Sequence, residues 1–203
     1  VQPTVAFLTT RVSQPDEDDW KKLCCMINCL EGTPNRILTL SADGAWVPKW
    51  HVDVSHAVHK DMRSHTGGCL TPGKGSAHAA SLKQKINARS SAEGESVGAD
   101  DAMGPILWTN FFSEEQGHKS EDTLACQDNE SAIPSAKNGK LGSGKRTKHV
   151  NVRHFFIKDG IDDGEIQVKW CPTDEMTADI FGEPLQGQKF HDFVVEIVNS
   201  NDE

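Results

Sequence analysis

Four acidic residues stand where otherwise apolar stretches of the chain end or turn inward: Asp53, Glu95, Asp128 and Asp179. Burying a carboxylate costs several kcal/mol unless a cation or hydrogen-bond donors compensate its charge. If the four acids converge, the partner that fits best is a hard divalent cation. Mg²⁺ prefers carboxylate and water oxygens to nitrogen or sulfur. The four acids therefore predict a magnesium site.

The composition is that of an ordinary globular protein. The chain has 203 residues, of which 36% are hydrophobic and 25% are charged, enough for one sizeable core with a small appended piece. No apolar run reaches the roughly 18 residues of a membrane span, and no signal peptide is recognisable. We expect an intracellular protein with no membrane partner. The chain opens at Val1 in mid-pattern, which indicates a piece of a longer polypeptide.

Cysteine and histidine offer a second kind of metal chemistry. The six cysteines lack paired metal-ligand spacing and the density of a disulfide scaffold, so we expect reduced packing residues. Four histidines lie close together in the sequence and raise the alternative of zinc: His51, His56, His59 and His65. Without a matching set of ligands at zinc spacing, scattered surface histidines are the favoured interpretation.

The hydrophobic pattern predicts the elements around the first acid. Residues 16 to 31 place Trp20 and other apolar residues on one helical face. Residues 47 to 54 alternate as in a half-buried strand, with Trp50 on one face and Asp53 on the other. Two further short strands are expected at residues 67 to 71 and 76 to 82.

A long helix is expected to carry the second acid. Ser90 and Glu93 have the spacing of a capping box, which predicts a helix start at Ser90. Glu95 lies one turn before the apolar stripe and is expected on the buried side, whereas Glu93 is used by the cap. Gly104 and Pro105 predict an interruption with a kink further along.

The second half of the chain alternates strands and helices. A strand at 123 to 127 leads directly into Asp128, and a final helix capped at 173 to 175 carries Asp179. Between them we expect a helix at 129 to 137, a loop at 139 to 144, a helix at 147 to 159 and a strand ending at Trp170. The helix at 147 to 159 is expected to pack through Val150, Phe155, Phe156 and Ile157. The order predicts an α/β fold, a mixed five-stranded sheet with helices on both faces.

Five motifs then follow one another in the order of a known family. They are Val52-Asp53-Val54-Ser55, Arg89 to Glu95, Gln127 to Ala132, Lys145 to Arg153, and Cys171 to Asp179. Together they closely resemble the ribonuclease H domain of copia-type retrotransposon polyproteins. The stretch Pro3 to Pro34 resembles the connection that follows the reverse transcriptase polymerase part. The resemblance implies a connection segment at 1–42, a ribonuclease H-like domain at 46–190 and a C-terminal tail at 191–203.

The resemblance also implies an activity. Carried over residue by residue, the catalytic and metal-binding acids fall on Asp53, Glu95, Asp128 and Asp179. The implied reaction is hydrolysis of the RNA strand of an RNA/DNA hybrid with two Mg²⁺ ions, for which Mn²⁺ is a substitute. The implied partners are the hybrid and the polymerase domain of the same polyprotein, and the implied location is a cytoplasmic virus-like particle.

Basic residues provide candidate phosphate contacts in a chain of net charge −9. One set, Lys83, Lys85 and Arg89, precedes the helix of Glu95, and the other comprises Lys145, Arg146 and Lys148. The second set lies in a stretch free of acids and is interpreted equally well as a solvated loop and helix face.

Two alternatives to an active ribonuclease H stay open. Gly182 and Glu183 replace the threonine–lysine pair that the family usually shows, which removes a positive charge near Asp179. A catalytically impaired remnant that binds nucleic acid or the polymerase as a structural module is the first alternative. Another nuclease or transposase of the same fold class is the second, and cleavage of duplex DNA would reveal it.

Overall fold

The structure is a computed structural model that describes residues 1–44, 47–118, 123–130, 133–134, 137 and 148–200, with the backbone alone at 148–154. Its helices are α1 (Gln2–Thr9), α2 (Glu17–Gly32), α3 (Ser91–Glu115), α4 (Lys148–Asp162), α5 (Asp179–Gly182) and α6 (Gly187–Val198). Its strands are β1 (Lys49–Ser55), β2 (His65–Thr71), β3 (His78–Lys83), β4 (Leu124–Gln127) and β5 (Gln167–Trp170). The predicted helix at 129 to 137 and loop at 139 to 144 lie largely or wholly outside the described residues.

The five strands form one mixed sheet in the order β3-β2-β1-β4-β5. The first three strands pair antiparallel as consecutive hairpins. β4 and β5 join the other edge of β1 in parallel, which requires long crossovers and explains why α3 and α4 stand between them. The predicted α/β fold class is confirmed, and β1 is the central strand.

Helices cover both faces of the sheet. The face that carries Trp50 packs under α3 and α4, in a core that also contains Leu70, Met103, Ile106, Ala125, Ile157, Ile166 and Val168. The opposite face packs Cys126, Cys171, Met176 and Ala178 around the short helix α5. Because both faces are covered, all seven residues of β2 are buried and the alternation of a half-exposed strand is absent.

Helix α3 begins as predicted and approaches the sheet through glycine. The Ser90 hydroxyl accepts a hydrogen bond from the Glu93 amide, and the Glu93 carboxylate accepts one from the Arg89 amide, one residue earlier than in an ordinary capping box. Gly98 faces β1 so closely that a methyl group there would lie 2.5 Å from Val54 Cγ2. The helix continues through Pro105, so the predicted interruption is wrong.

We expect opposite effects from two alanine substitutions in α3. Gly98→Ala will lower the free energy of unfolding by about 1–3 kcal/mol, because the new methyl group overpacks the contact with Val54. Gly104→Ala will raise it by about 0.5–1 kcal/mol, because nothing lies within 4 Å of the new methyl group and alanine favours the helix. Urea titration measures both. Equal stability of the two variants would contradict the close packing of α3 on β1.

Several aromatic residues predicted to pack are exposed. Phe155 and Phe156 on α4 retain 46% and 45% of their accessible surface, whereas Ile157, which was expected to pack with them, is 1% exposed as predicted. Trp170 at the end of β5 is 52% exposed because β5 is an edge strand, and Trp20 on α2 is 66% exposed. Among the described elements, α2 packs mainly against the eight-residue helix α1, which is too short to cover its apolar stripe.

The C-terminal region is helical where the sequence predicted a tail. Helix α6 crosses the predicted boundary at residue 190, and its Phe193 is 2% exposed. The carbonyl of Val198 accepts a hydrogen bond from the Thr39 amide, and that of Ile197 accepts one from the Ser76 amide. These bonds attach the end of α6 to the main body. The division at 42 to 46 between a connection segment and a domain stays a prediction.

Cysteine pairing and membrane insertion are both addressed by the structure. All six cysteines are free, and Cys69, Cys126 and Cys171 are buried packing residues, whereas Cys25 and Cys29 are exposed on α2.

Within the ranges given above, no helix combines the length and the apolar character that crossing a bilayer requires.

Candidate active site

Three of the four predicted acids meet at one end of β1. One carboxylate oxygen from each of Asp53, Glu95 and Asp128 lies within 4.8 Å of the other two. The parallel register explains the meeting of two of them. His51 of β1 stands opposite Cys126 of β4, so two residues further along each strand Asp128 falls beside Asp53. Glu95 arrives from the first turns of α3.

The fourth acid lies beside this group of three. Asp179 is the first residue of α5, and although it is only 5% exposed it is outside the three-carboxylate group. Its Oδ2 accepts a hydrogen bond from the Lys189 ammonium at 2.6 Å. The fourth acid therefore has a counterion from the protein, supplied by α6.

Hydrogen bonds fix the main chain and side chain of Asp128 and the main chain next to Glu95. The Thr173 hydroxyl donates to Asp128 Oδ2 at 3.1 Å, and the Trp170 indole donates to the Asp128 carbonyl at 3.2 Å. The Gln84 amide donates to the Gly94 carbonyl at 3.0 Å, which holds the start of α3 against the sheet next to Glu95. Asp128 and the main chain beside Glu95 are thus held by neighbouring elements, and no hydrogen bond between the two acids is needed.

Two glycines allow α5 to sit against the acids. A methyl group at Gly67 of β2 would lie 2.4 Å from the Ala178 carbonyl oxygen and 2.5 Å from the Gly182 amide nitrogen. A methyl group at Gly182 would lie 3.1 Å from Asp53 Oδ2. The absence of side chains at both positions lets the backbone of α5 bring Asp179 close to Asp53.

Crowding of the acids changes their protonation. Burial, followed by repulsion from Asp179 and Asp128, raises the pKa of Asp53 to about 7. Burial, followed by repulsion from Asp53, Asp128 and Asp179, raises the pKa of Glu95 to about 9. The Val54 amide opposes both shifts by hydrogen bonding to these carboxylates. Burial also raises the pKa of Asp179, against the opposing effect of Lys189.

The residues present fit a bound divalent cation. Glu95 Oε2 is buried and has no hydrogen-bond partner, which is costly for a carboxylate oxygen. The three-carboxylate group offers oxygen alone as donor atoms, the ligand type preferred by Mg²⁺ and Mn²⁺. A cation bound to Asp53, Glu95 and Asp128 would satisfy the unpartnered oxygen and offset the repulsion that raises their pKa values.

We expect the metal-free protein to lose stability as the pH rises. The folded pKa of Glu95, about 9, lies above its ordinary value of 4.5, so the folded state holds a proton that the unfolded state releases. Stability from this group is complete below pH 4.5 and is lost towards pH 9, with a slope of at most about 1.4 kcal/mol per pH unit. Thermal unfolding in a chelator should therefore show a lower midpoint at pH 8.5 than at pH 7.

The control for this prediction is the neutral variant Glu95→Gln. It should show a flatter pH dependence over the same range, because the proton that distinguishes the two states is gone. A midpoint that is constant or rises from pH 7 to 8.5 in the wild type would contradict the raised pKa of Glu95.

The predicted phosphate-contact residues are partly accessible. Lys85 and Arg89 are exposed in the segment before α3, whereas the Lys83 ammonium is paired with Asp61 at 2.9 Å. Lys148 begins α4, and its side chain is not described; Lys145 and Arg146 lie outside the described residues. The structure thus leaves the nucleic-acid role of all six a prediction.

The prediction of scattered surface histidines is wrong for three of the four. His51, His59 and His65 are buried, because α1, α5 and the loop after β1 cover this face of the sheet. His59 Nε2 lies 3.0 Å from His65 Nδ1, and His65 Nε2 lies 2.8 Å from the Ser81 hydroxyl. That hydroxyl donates to the Phe181 carbonyl of α5. The two histidines thus belong to one hydrogen-bonded chain, and burial lowers the pKa of both, that of His65 to about 4.

The sequence analysis missed the roles of three residues near the acids. Lys189 was given no role within the domain predicted at 46–190, because its pairing with Asp179 depends on how α6 follows α5. Gly182 was noticed only as a departure from the family pattern and Gly67 only as part of a predicted strand, since their closeness to one another arises from long-range packing. The spacing of Phe190, Phe193 and Ile197 did contain a helical signal for α6.

The fold and the site together define a class: a mixed α/β domain that gathers carboxylates where its central parallel strands end. No family model matches the chain. A solved structure of LC11-RNase H1, isolated from compost by a metagenomic approach, aligns with 67% of this chain and 92% of its own, at 11% identity and a TM-score of 0.48.

Sequence relatives place the chain more narrowly. It is 29% identical to the retrovirus-related Pol polyprotein from transposon TNT 1-94 of Nicotiana tabacum over 92% of its length. It is 26% identical to that from transposon RE1 of Arabidopsis thaliana over 97% of its length. The homologues of this chain are thus retrovirus-related Pol polyproteins from transposons. The chain spans 14% of the length of each of these two relatives.

Proposed function

We propose that the chain is the ribonuclease H part of a copia-type retrotransposon polyprotein, a metal-dependent endonuclease that hydrolyses the RNA strand of RNA/DNA hybrids during reverse transcription. The observation that carries the proposal is the three-carboxylate group with an unpartnered, buried Glu95 oxygen. The acids of this group are those that the ribonuclease H motifs select. Homology to Pol polyproteins supports the same assignment.

The four acids have distinct parts in this proposal. When bound, two divalent ions supply an activated water and a stabilised leaving oxygen. Asp53 lies within the three-carboxylate group and its Oδ2 faces Gly182 of α5, the helix that Asp179 begins, so it is the acid placed to serve both metal positions. Glu95 and Asp128 would hold the same ion as Asp53, and Asp179 would help to hold the other. No side chain is required to act as a nucleophile.

The substrate and the partners follow from the same proposal. Lys85 and Arg89 are exposed before α3, where they are available to contact the phosphates of a duplex read by shape and by 2′-hydroxyls. The polymerase part of the same polyprotein is the proposed partner, and an intracellular virus-like particle is the proposed setting.

Cleavage of a labelled hybrid tests the proposal. The purified chain, alone and fused to its polymerase, is incubated with an RNA/DNA hybrid, duplex DNA or single-stranded RNA in Mg²⁺, Mn²⁺ or a chelator. We expect cut RNA from the hybrid alone, in either metal and not in the chelator, and loss of cutting in Asp128→Asn. Cleavage of duplex DNA would favour a different nuclease of this fold class, and no cleavage of any substrate would refute the proposal.

An impaired remnant is the second candidate, favoured by one observation at the site. Glu183, which stands where the family usually has a lysine, adds to the repulsion that raises the pKa values of Asp53 and Asp179. Calorimetric titration distinguishes the candidates. A folded chain that binds hybrid without binding Mg²⁺ or Mn²⁺ would identify a remnant.

A further inference from the structure

Lys189 is an unusual neighbour for a metal-binding acid. Its ammonium lies 2.6 Å from Asp179 Oδ2, and the carboxylate it contacts is only 5% exposed. The same ammonium lies 5.3 Å from the centre of the Phe193 ring, which is itself buried. Lys189 and Phe193 lie on the same side of α6. The packing of α6 therefore fixes the position of the Lys189 ammonium next to Asp179.

The charge of Lys189 lies on the Asp179 side of the site, where Glu183 and Asp174 are the other acids that act on it. Asp53, Glu95 and Asp128 form a compact group of three, whereas Asp179 forms an ion pair with Lys189. A protein ammonium and a divalent cation compete for the same carboxylate, and they repel one another at this separation. Binding of a cation by Asp179 must therefore break or weaken the ion pair with Lys189.

We propose that Lys189 is a positioning residue that stands in for a cation at Asp179 and sets the affinity of the metal position that Asp179 serves. This inference rests on the proposed two-metal function. In the metal-free chain, Lys189 keeps the fourth acid paired and prevents it from joining the other three. The position served by Glu95 and Asp128 fills first, and the position served by Asp179 fills at a higher ion concentration.

The test is Mn²⁺ binding to the whole chain without substrate, measured by electron paramagnetic resonance and by calorimetry. Lys189→Met is compared with Lys189→Arg, which keeps the charge, and with Lys22→Met. Lys22 is a matched control, because it also forms a lysine–aspartate ion pair, at 2.8 Å with Asp18, on the remote helix α2. Both methionine variants change the net charge by the same amount.

We expect two binding events in the wild type, and about a tenfold tighter second event in Lys189→Met than in Lys22→Met. Lys189→Arg should resemble the wild type. Equal second affinities in Lys189→Met and Lys22→Met, or a weaker one in Lys189→Met, would overturn the role of Lys189. Circular dichroism at the titration temperature confirms that each variant is folded.

The failure of the two proposals can be told apart. If neither the wild type nor any variant binds Mn²⁺, the proposed metal-dependent function fails. If the wild type binds two ions and Lys189→Met and Lys22→Met bind the second ion with equal affinity, only the inference about Lys189 is overturned. The proposed metal-dependent function is not affected by that result. Asp179→Asn provides the remaining reference, since it should lose the second event altogether.

Discussion

Glu95→Gln will lower the rate of hybrid cleavage by roughly a thousandfold and at the same time stabilise the metal-free protein at pH 8 by about 2 kcal/mol. Both effects have one cause. The Glu95 carboxylate is 3% exposed, has an unpartnered oxygen and is repelled by three other acids. Glutamine keeps the shape of the side chain and removes the ionisable group, which in the metal-free folded state must take up a proton that the unfolded chain releases at pH 8.

The matched control is Glu93→Gln, the same change two residues earlier in the same helix. Glu93 accepts a hydrogen bond from the Arg89 amide at the helix start, and its carboxylate is on the exposed side. We expect nearly wild-type cleavage and no gain in stability from this control. Single-turnover cleavage and urea unfolding in a chelator measure the two quantities. If the Glu95 and Glu93 variants behave alike, the choice of Glu95 as the second acid is wrong.

Gly67→Ala will lower the free energy of unfolding by at least about 3 kcal/mol and reduce hybrid cleavage. The new methyl group would lie 2.4 Å from the Ala178 carbonyl oxygen, 2.5 Å from the Gly182 nitrogen and 2.9 Å from the Phe181 carbonyl carbon. All three are backbone atoms and cannot rotate away as a flexible side chain can. Helix α5 must therefore move, and Asp179 moves with it.

Gly68→Ala is the control for that substitution. Gly68 is the next residue of the same strand, and the nearest atom to a new methyl group, the His51 carbonyl oxygen, lies 3.8 Å away. We expect a stability change within about 1 kcal/mol and unchanged cleavage. Chemical denaturation measures the stability of Gly67→Ala and Gly68→Ala, and the cleavage assay compares their activity. Equal losses in the two variants would show that β2 tolerates no side chain for reasons unrelated to α5.

Local signals predicted the parts of the fold that local forces determine. The alternation around Trp50 and Asp53 identified β1, and the Ser90 cap identified the start of α3, because both depend on neighbours a few residues away. The exposure of Phe155 and Trp170 was not predictable in this way. Whether an apolar side chain is shielded from solvent depends on which helix or strand packs over it. The local sequence pattern does not determine which helix or strand that is.

The candidate site likewise contains residues that the sequence predicted and contacts that it did not. The family motifs selected Asp53, Glu95 and Asp128, and the structure brings these three together. Asp179 was selected too, but its ion pair with Lys189 depends on the angle at which α6 leaves α5. No local pattern encodes that angle. The buried histidines were misjudged for a similar reason, since the helices that cover them come from both ends of the chain.

The packing of α5 against Gly67 has a consequence for folding during translation. β1, β2 and β3 are consecutive hairpins that pair with near neighbours, so this half of the sheet is available early during synthesis. Asp179 and Lys189 lie more than 100 residues downstream of Gly67 along the chain. A nascent chain on the ribosome therefore holds a partly built sheet and an incomplete set of acids, and the proposed metal site is completed only after α5 and α6 have been synthesised.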